Sequence, residues 1–511
     1  MLALLLVGCG HGQPPARPST TWIVGRSAPA FDPDGPRDDV RWALERQLSL
    51  GLTERDSGGQ VTPGIADSIG CSSDSLTWTF RLRAGLKFTD GTPVTSTHVR
   101  EALVGGLARA DHATRAWLLV ALAGVDKVRA GRKLPRLGID TPNVRTLVLE
   151  LARPDRLLLE KLALPGVSAP WKHRDGGWGD AVGVGPYHVV AADGGHSLTL
   201  VGGPAVAHVA AIVETLYVRF AIGAPRVRSL LRQGRPDTVW PLPPGLLARP
   251  LPPDWSLISR PARPARRLLL ILRADVPPLT RPQARGALAR AINREELLAA
   301  LGPEGVPLRR WLPGATTEYE WPRLEGPEER QLAGEARRAT RPGRRTESYQ
   351  VVLAFDADRS GAGISRALQG QWARAGHYAE LRPLRGAAAQ AQALAATAAQ
   401  AQLVVSQALL PGAEAELAQL VMPLRGPAVG SFRTGWRTRD LDRWVAVPQP
   451  DPGLDPDAVQ RQLESDRVVL PIAALPWQVA FRIGVPQPLV HPAYGPGWTA
   501  VNSAGEGART R

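Results

Sequence analysis

Between Leu76 and Thr95 the chain reads LTWTFRLRAGLKFTDGTPVT, and its apolar positions fall on one parity. Leu76, Trp78, Phe80 and Leu82 alternate with Thr77, Thr79, Arg81 and Arg83, a period of two that predicts a strand with one face buried. Asp90-Gly91 then supplies a turn, because glycine accepts positive φ without a Cβ clash. Thr95 is placed as the N-cap of a helix that turns Val99, Ala102 and Leu103 inward. Asn143 to Pro154 repeats the alternation, with Val144, Thr146, Val148 and Glu150 opposed to Arg145, Leu147, Leu149 and Leu151. From Asp38 to Leu52 the spacing changes: Val40, Ala43, Leu44, Gln47 and Leu48 recur at helical intervals, and Gly51 can end the helix.

The rest of the chain mixes the two periods. Trp22 to Gly25 and Ala211 to Phe220 have strand character, the stretch from about 97 to 124 is helical, and the two ends of Asp175 to Gly203 form a hairpin. Arg281 to Gly302 predicts two helices: Ala284, Ala287, Leu288, Ala291 and Ile292 line the first, and Asn293 with Glu296 makes a capping box for the second. Tyr349 to Asp358, Ala367 to Leu381 and Ala401 to Leu410 follow as strand, helix and strand, and residues 387–401 are an Ala/Gln tract expected as a solvent-facing helix. Irregular alternation of this kind points to an α/β protein with mixed sheets. The Pro-dense segment from Trp240 to Arg267 reads as a linker or a wall around a cleft, and the Pro/Asp-rich stretch 445–457 as a return crossing toward the first domain.

A length of 511 residues is too great for one core and predicts two or three domains. No apolar run is long enough to span a bilayer. The formal charge of +15 raises the question of nucleic acid, but only five of the 62 basic residues are lysines and the arginines are scattered among Pro, Ala and Gly. Nucleic-acid binders concentrate charge beside a recognisable motif. No zinc-finger spacing, basic region with heptads or RNA-binding aromatic signature accompanies this charge.

Enzyme signatures are equally missing: the sequence holds no G-x-S-x-G elbow, H-E-x-x-H, P-loop lysine or strand-borne G-x-G-x-x-G. The nine histidines offer no metal-ligand spacing beyond the loose pair His188 and His196, so no metal and no cofactor is expected. The opening MLALLLVGC resembles the lipobox of bacterial lipoproteins, with small residues before Cys9, and a polar tether follows it. The resemblance implies lipidation at Cys9. Cys71 is then a lone thiol, expected as a small buried hydrophobe.

Thr79-Phe80, Leu82-Arg83, Gly85, Lys87-Phe88, Asp90-Gly91, Pro93, Thr95 and Val99 stand where the extracytoplasmic solute-binding proteins of peptide- and nickel-type ABC transporters carry a characteristic segment. Gly51 to Ser68, Gly183 to Tyr187 and ARGALARAINREELLAAL resemble further segments of that family. The chain is accordingly identified as a divergent member of the oligopeptide/dipeptide-binding family, family 5.

The resemblance implies a two-lobed periplasmic-binding-protein fold of type II, in the large cluster with an extra subdomain, with mixed sheets and a hinge between the lobes. It implies a signal segment at 1–9, a tether at 10–20, lobe I at 21–255 and 465–511 with a subdomain inserted at about 50–175, and lobe II at 260–460. The implied function is that of an extracytoplasmic, lipid-anchored monomer, which captures a peptide-like or other small solute in the inter-lobe cleft and hands it to a membrane permease without breaking a bond. The alternative is a surface lipoprotein that uses the same fold as a sensor.

Candidate cleft residues are Phe31, Asp237, Trp240, Arg273, Ser406, Gln407 and Trp436. Two departures from the family pattern stand out. His98 replaces an acid and leaves the capping box of its helix incomplete. Val404 to Leu417 has Ser406, Gln407 and Ala408, with no Asp, where peptide-binding members place the carboxylate that pairs with a peptide ammonium. An enclosed ammonium without that partner costs several kcal/mol, so capture of free peptide N-termini in the usual way is not expected.

Overall fold

A computed structural model describes residues 18–29, 31, 39–105, 119–125, 136–172, 177–262, 266–302, 305–308, 312, 348–357, 361–384, 399–407, 410, 434–436, 455–491 and 493–501. Cys9, most of the tether, most of the Ala/Gln tract and most of 445–457 lie outside them, and Thr20, the last tether position, already begins a strand.

Two large mixed sheets organise the chain. The first has seven strands in the order Trp255–Arg260, Trp477–Arg482, Thr238–Val239, Thr20–Val24, Thr215–Phe220, Ser197–Gly202 and Tyr187–Asp193. Thr20–Val24 runs parallel to both of its neighbours, and the remaining pairs are antiparallel. The second has six strands in the order Val306–Pro307, Val469–Leu475, Arg266–Leu272, Ala401–Gln407, Gln350–Asp356 and Tyr378–Leu384. Its centre is the run Leu268 to Leu272, buried at every position. A strand flanked by neighbours and covered on both faces needs a continuous apolar run rather than an alternating one.

The stretch Leu76 to Thr95 belongs to a smaller sheet of Ala66–Cys71, Thr77–Leu82, Thr146–Glu150 and Ile139–Asn143. Phe80, Leu82, Leu147, Leu149 and Leu151 enter its core, while Thr77, Thr79 and Arg81 stay exposed. Gly91 turns at φ +85°, and Thr95 caps the helix Ser96–Val104. The capping box is complete after all: the Thr95 backbone N–H donates to His98 Nδ1 at 3.1 Å. An imidazole nitrogen accepts this bond in place of a carboxylate, and the His98 ring packs edge-on against Phe88 at 5.1 Å. Cys71 is exposed rather than buried, because it ends an edge strand with its side chain on the solvent face.

The chain passes between the large sheets twice, and the two passages lie side by side. Trp255–Arg260 in the first sheet leads to Arg266–Leu272 in the second; Val469–Leu475 in the second returns through Pro476 to Trp477–Arg482 in the first. Arg260 pairs with Trp477 on one side of the junction and Arg266 with Leu475 on the other. The Pro-dense segment therefore contributes an edge strand and ends at the junction. The return comes at Leu475 to Trp477, later than 445–457, because Val469–Leu475 is needed beside the apolar strand Arg266–Leu272 to bury it.

Candidate functional site

The junction gathers charge and aromatic surface. Arg26 leaves the carboxyl end of Thr20–Val24, and Asp39 opens the helix Asp39–Leu48. The Asp39 carboxylate, 1% exposed, accepts from Arg26 through Oδ1 and from Arg266 Nη2 through Oδ2 at 3.1 Å. Within the same helix Arg41 Nε donates to Glu45 Oε1 at 2.7 Å, with both side chains buried. The Arg266 guanidinium also lies 4.1 Å over the ring of Trp477.

Trp477 continues an aromatic row: its ring centroid is 5.7 Å from that of Trp240, which is 6.0 Å from that of Trp22. The Trp22 indole N–H donates to the Trp240 carbonyl at 2.7 Å. Gly495 closes against this row at φ +79°, where a Cβ would lie 3.0 Å from the Trp477 ring. Only glycine serves at that approach. In the second sheet Arg266 stands opposite Gln407 and Arg267 opposite Ser406. Arg26, Asp39, Trp240, Arg266, Arg267, Trp477 and Ser406 are thus joined through consecutive contacts around the passage between the sheets. Two of them, Arg26 and Trp240, sit just beyond the carboxyl ends of the parallel strands, where open α/β sheets place their ligands.

The sequence candidates separate into groups. Trp240 and the buried Ser406 belong to the junction, and the backbone of Gln407 lies there too. Phe31 packs 4.7 Å from Trp178 and 5.4 Å from Trp171, and the Trp178 indole donates to the Pro29 carbonyl at 2.7 Å. Asp237 lies at the other end of its strand from Trp240; it accepts from the Thr21 N–H at 2.8 Å and pairs with Arg482.

Arg273 is seven residues from Arg266 on the same line of chain, about 20 Å away at a strand's rise. It is fully buried and forks onto Asp275, with both bonds at 3.0 Å. Trp436 lies near that end: Ala274 N–H donates to the Thr434 carbonyl, and the Trp436 indole donates to Asp466 Oδ2 at 2.7 Å. The structure therefore does not bring Arg273, Asp237 or Trp436 together with Ser406. A buried charge requires a counter-charge, and Asp275 and Arg482 supply it locally. Arg26, Asp39, Arg266 and Arg267 escaped the sequence reading, although Arg26 directly after a buried strand and the Arg266-Arg267 pair ahead of LLLIL were visible signals.

A second cluster ties helix Asp39–Leu48 to the C-terminal segment. Glu54 accepts from the Gly51 N–H at 2.7 Å and faces Arg46 at 3.8 Å. Burial pushes its carboxyl up to about 7, against the opposing pull of Arg46. His491 Nδ1 accepts from the Ala493 N–H at 3.0 Å, so its Nε2–H donates to the Asp56 carbonyl at 2.7 Å. Burial, assisted by the Arg46 charge, lowers the imidazole to about 3. Its ring stacks 4.7 Å from that of Tyr494, and the Arg46 guanidinium lies 4.5 Å over the Tyr494 ring.

Residues 60–411, more than half of the chain, match the family described as bacterial extracellular solute-binding proteins, family 5. Among curated proteins, the oligopeptide-binding protein OppA of Bacillus subtilis is 28% identical over 157 residues, covering 30% of this chain and 29% of that protein. The periplasmic murein peptide-binding protein MppA of Escherichia coli is 34% identical over 116 residues, 21% of each chain. These alignments span less than a third of the relatives' length.

Likeness of fold extends over almost the whole chain. Haemophilus influenzae OppA in complex with RPPGFSPFR superposes with a TM-score of 0.76 at 15% identity, covering 95% of this chain and 99% of that one. AgaA of Agrobacterium tumefaciens R10 in complex with agropinic acid gives 0.72 at 17% identity, covering 93% and 96%. The fold is thus the two-lobed α/β architecture of periplasmic binding proteins.

Proposed function

Because the chain belongs to the bacterial extracellular solute-binding proteins of family 5, we propose that it captures a small solute between its two lobes and delivers it to the permease of an ABC importer. The observation that carries this reading is the double passage at Arg260/Trp477 and Arg266/Leu475, two adjacent strands about which the lobes can rotate. Closure on a ligand stabilises one of two arrangements by its differential contacts, and no bond is broken. The site acts outside the cytoplasm, on a protein held to the membrane through lipid on Cys9.

The solute carries a carboxylate rather than depending on a free ammonium. Near the end of strand Ala401–Gln407 stands Ser406, and Arg267 is its partner across the ladder. Guanidinium groups favour a carboxylate through paired, charge-assisted hydrogen bonds and disfavour an ammonium at the same place. AgaA, and MoaA of the same organism in complex with mannopinic acid, share the fold.

The experiment is calorimetric titration with a mixed di- to pentapeptide library and with a panel of small amino-acid-derived carboxylic acids, guided by native mass spectrometry of protein purified from its host. A small acid bound at micromolar strength or better supports the reading. Micromolar binding of the peptide library, abolished by N-terminal acetylation of the peptides, overturns the ligand class. The mass of the N-terminal segment tests lipidation separately.

A further inference from the structure

Between Thr215 and Pro253 the chain carries six arginines, Arg219, Arg226, Arg228, Arg232, Arg235 and Arg249, and one acid, Asp237. Asp237 is occupied by Arg482. The helix Ala224–Arg232 packs Val227, Leu230 and Leu231 onto Ile23 and Val239 of the first sheet, and this sends its arginines outward. Arg228 Nη2 reaches across to the Gly245 carbonyl at 3.0 Å, which anchors it over the turn that leads to Arg249. Arg232 is one helical turn on. Burial first, then the charges of Arg249 and Arg232, hold the Arg228 guanidinium below its ordinary value.

Among the described residues none of these three has a carboxylate within ion-pair distance. Some surface arginines elsewhere do, Arg374 with Glu296, Arg382 with Glu380 and Arg145 with Asp67, and others such as Arg290 do not; here three stand together. Like charges gathered without counter-charges destabilise the fold that holds them. Ile222, 54% exposed at the head of the same helix, adds an apolar tip.

We propose that Arg228, Arg232 and Arg249 form a docking surface for anionic lipid headgroups, which orients the tethered protein on its membrane. The proposal rests on the lipid-anchor part of the function above. Thr20 lies eleven positions after Cys9, so the tether spans at most about 40 Å. Thr20 begins the strand against whose sheet this helix packs, and the headgroups are therefore the anionic surface that the patch meets at the highest effective concentration. Guanidinium forks match phosphate oxygens two at a time. A single acyl chain with a basic patch is a two-signal anchor.

The test uses the full chain carrying Cys9→Ser, so that no acyl group contributes, in co-sedimentation with vesicles of phosphatidylglycerol and phosphatidylcholine at low and high salt. The expected result is salt-sensitive binding to the anionic vesicles only. Arg232→Glu/Arg249→Glu should weaken it about tenfold or more, whereas the lobe II control Arg290→Glu/Arg366→Glu, of equal charge change, should not. Urea melts establish that both pairs fold.

Absence of binding to anionic vesicles overturns the proposal, as does an equal loss in the control pair, which would report net charge alone. So does a double variant that keeps vesicle binding but loses association with permease-containing membranes, since the patch would then face an acidic protein. Failure to find lipid on Cys9 in the native protein would overturn the anchor and leave the vesicle result standing on its own.

Discussion

Asp39 and Arg266 meet at 3.1 Å, one from the first helix and the other from the first residue of the strand that crosses into the second sheet. The carboxylate is shared with Arg26 and is 1% exposed. Removing one charge from a buried pair strands the others without compensation. Asp39→Asn should therefore lower unfolding free energy by about 3–5 kcal/mol, measured by urea denaturation. Stability equal to the parent protein would show that the triad does not hold the junction.

Glu54 and His491 make opposing contributions to stability against pH. Glu54 is raised from 4.5 to about 7, so its contribution is full below 4.5 and is lost as pH rises toward 7. His491 is lowered from 6.5 to about 3, so its contribution is full above 6.5 and is lost as pH falls toward 3. Between 4.5 and 6.5 the folded state holds the proton on Glu54 and the unfolded state holds it on His491, and the two slopes cancel. Glu54→Gln should unmask the histidine: stability then climbs with pH through that window by up to about 1.4 kcal/mol per unit. Urea melts from pH 4 to 8 that show no steeper slope in the variant would refute the assignment.

Trp240 is packed between Trp22 and Trp477 and buried to 2%. Trp240→Ala should cost about 3–5 kcal/mol through the cavity it leaves. Trp240→Phe keeps much of the volume, so it separates packing from recognition. If Trp240 also touches ligand, the phenylalanine variant loses affinity in calorimetry while its melting temperature changes little. A variant that binds normally confines Trp240 to the core.

His98 completes the cap of helix Ser96–Val104 through its ring nitrogen. His98→Ala should destabilise the protein by about 0.5–2 kcal/mol, and His98→Glu should recover most of that loss. Equal melts for alanine and glutamate would mean that the Thr95 bond contributes nothing.

The strands and helices were legible wherever one face of an element is buried, since burial imposes a period: Phe80 and Leu82 turn inward, Thr79 and Arg81 outward, and Leu268 to Leu272 form an unbroken apolar run because that strand has neighbours on both sides. Local chemistry was legible too, in the glycine turn at Gly91 and in Asn293 accepting from the Glu296 N–H at 3.2 Å. The return half of the expected capping box does not form, because the Asn293 N–H donates to Gln371 Oε1 at 3.0 Å instead. Family segments then identified the fold, because the scaffold that sets the lobes repeats its own turn and cap residues.

What the sequence could not disclose is which charges meet. Arg266 begins the apolar strand Arg266–Leu272 and Arg273 directly follows it, and the two look alike in the chain, yet Arg273 is consumed by Asp275 while Arg266 reaches Asp39, 227 positions away. Ion pairs and aromatic rows carry no period along the chain. They depend on distances across sheets, and only the tertiary arrangement sets those: it put Asp39, Trp477 and Ser406 around one passage and left Asp237 and Trp436 elsewhere.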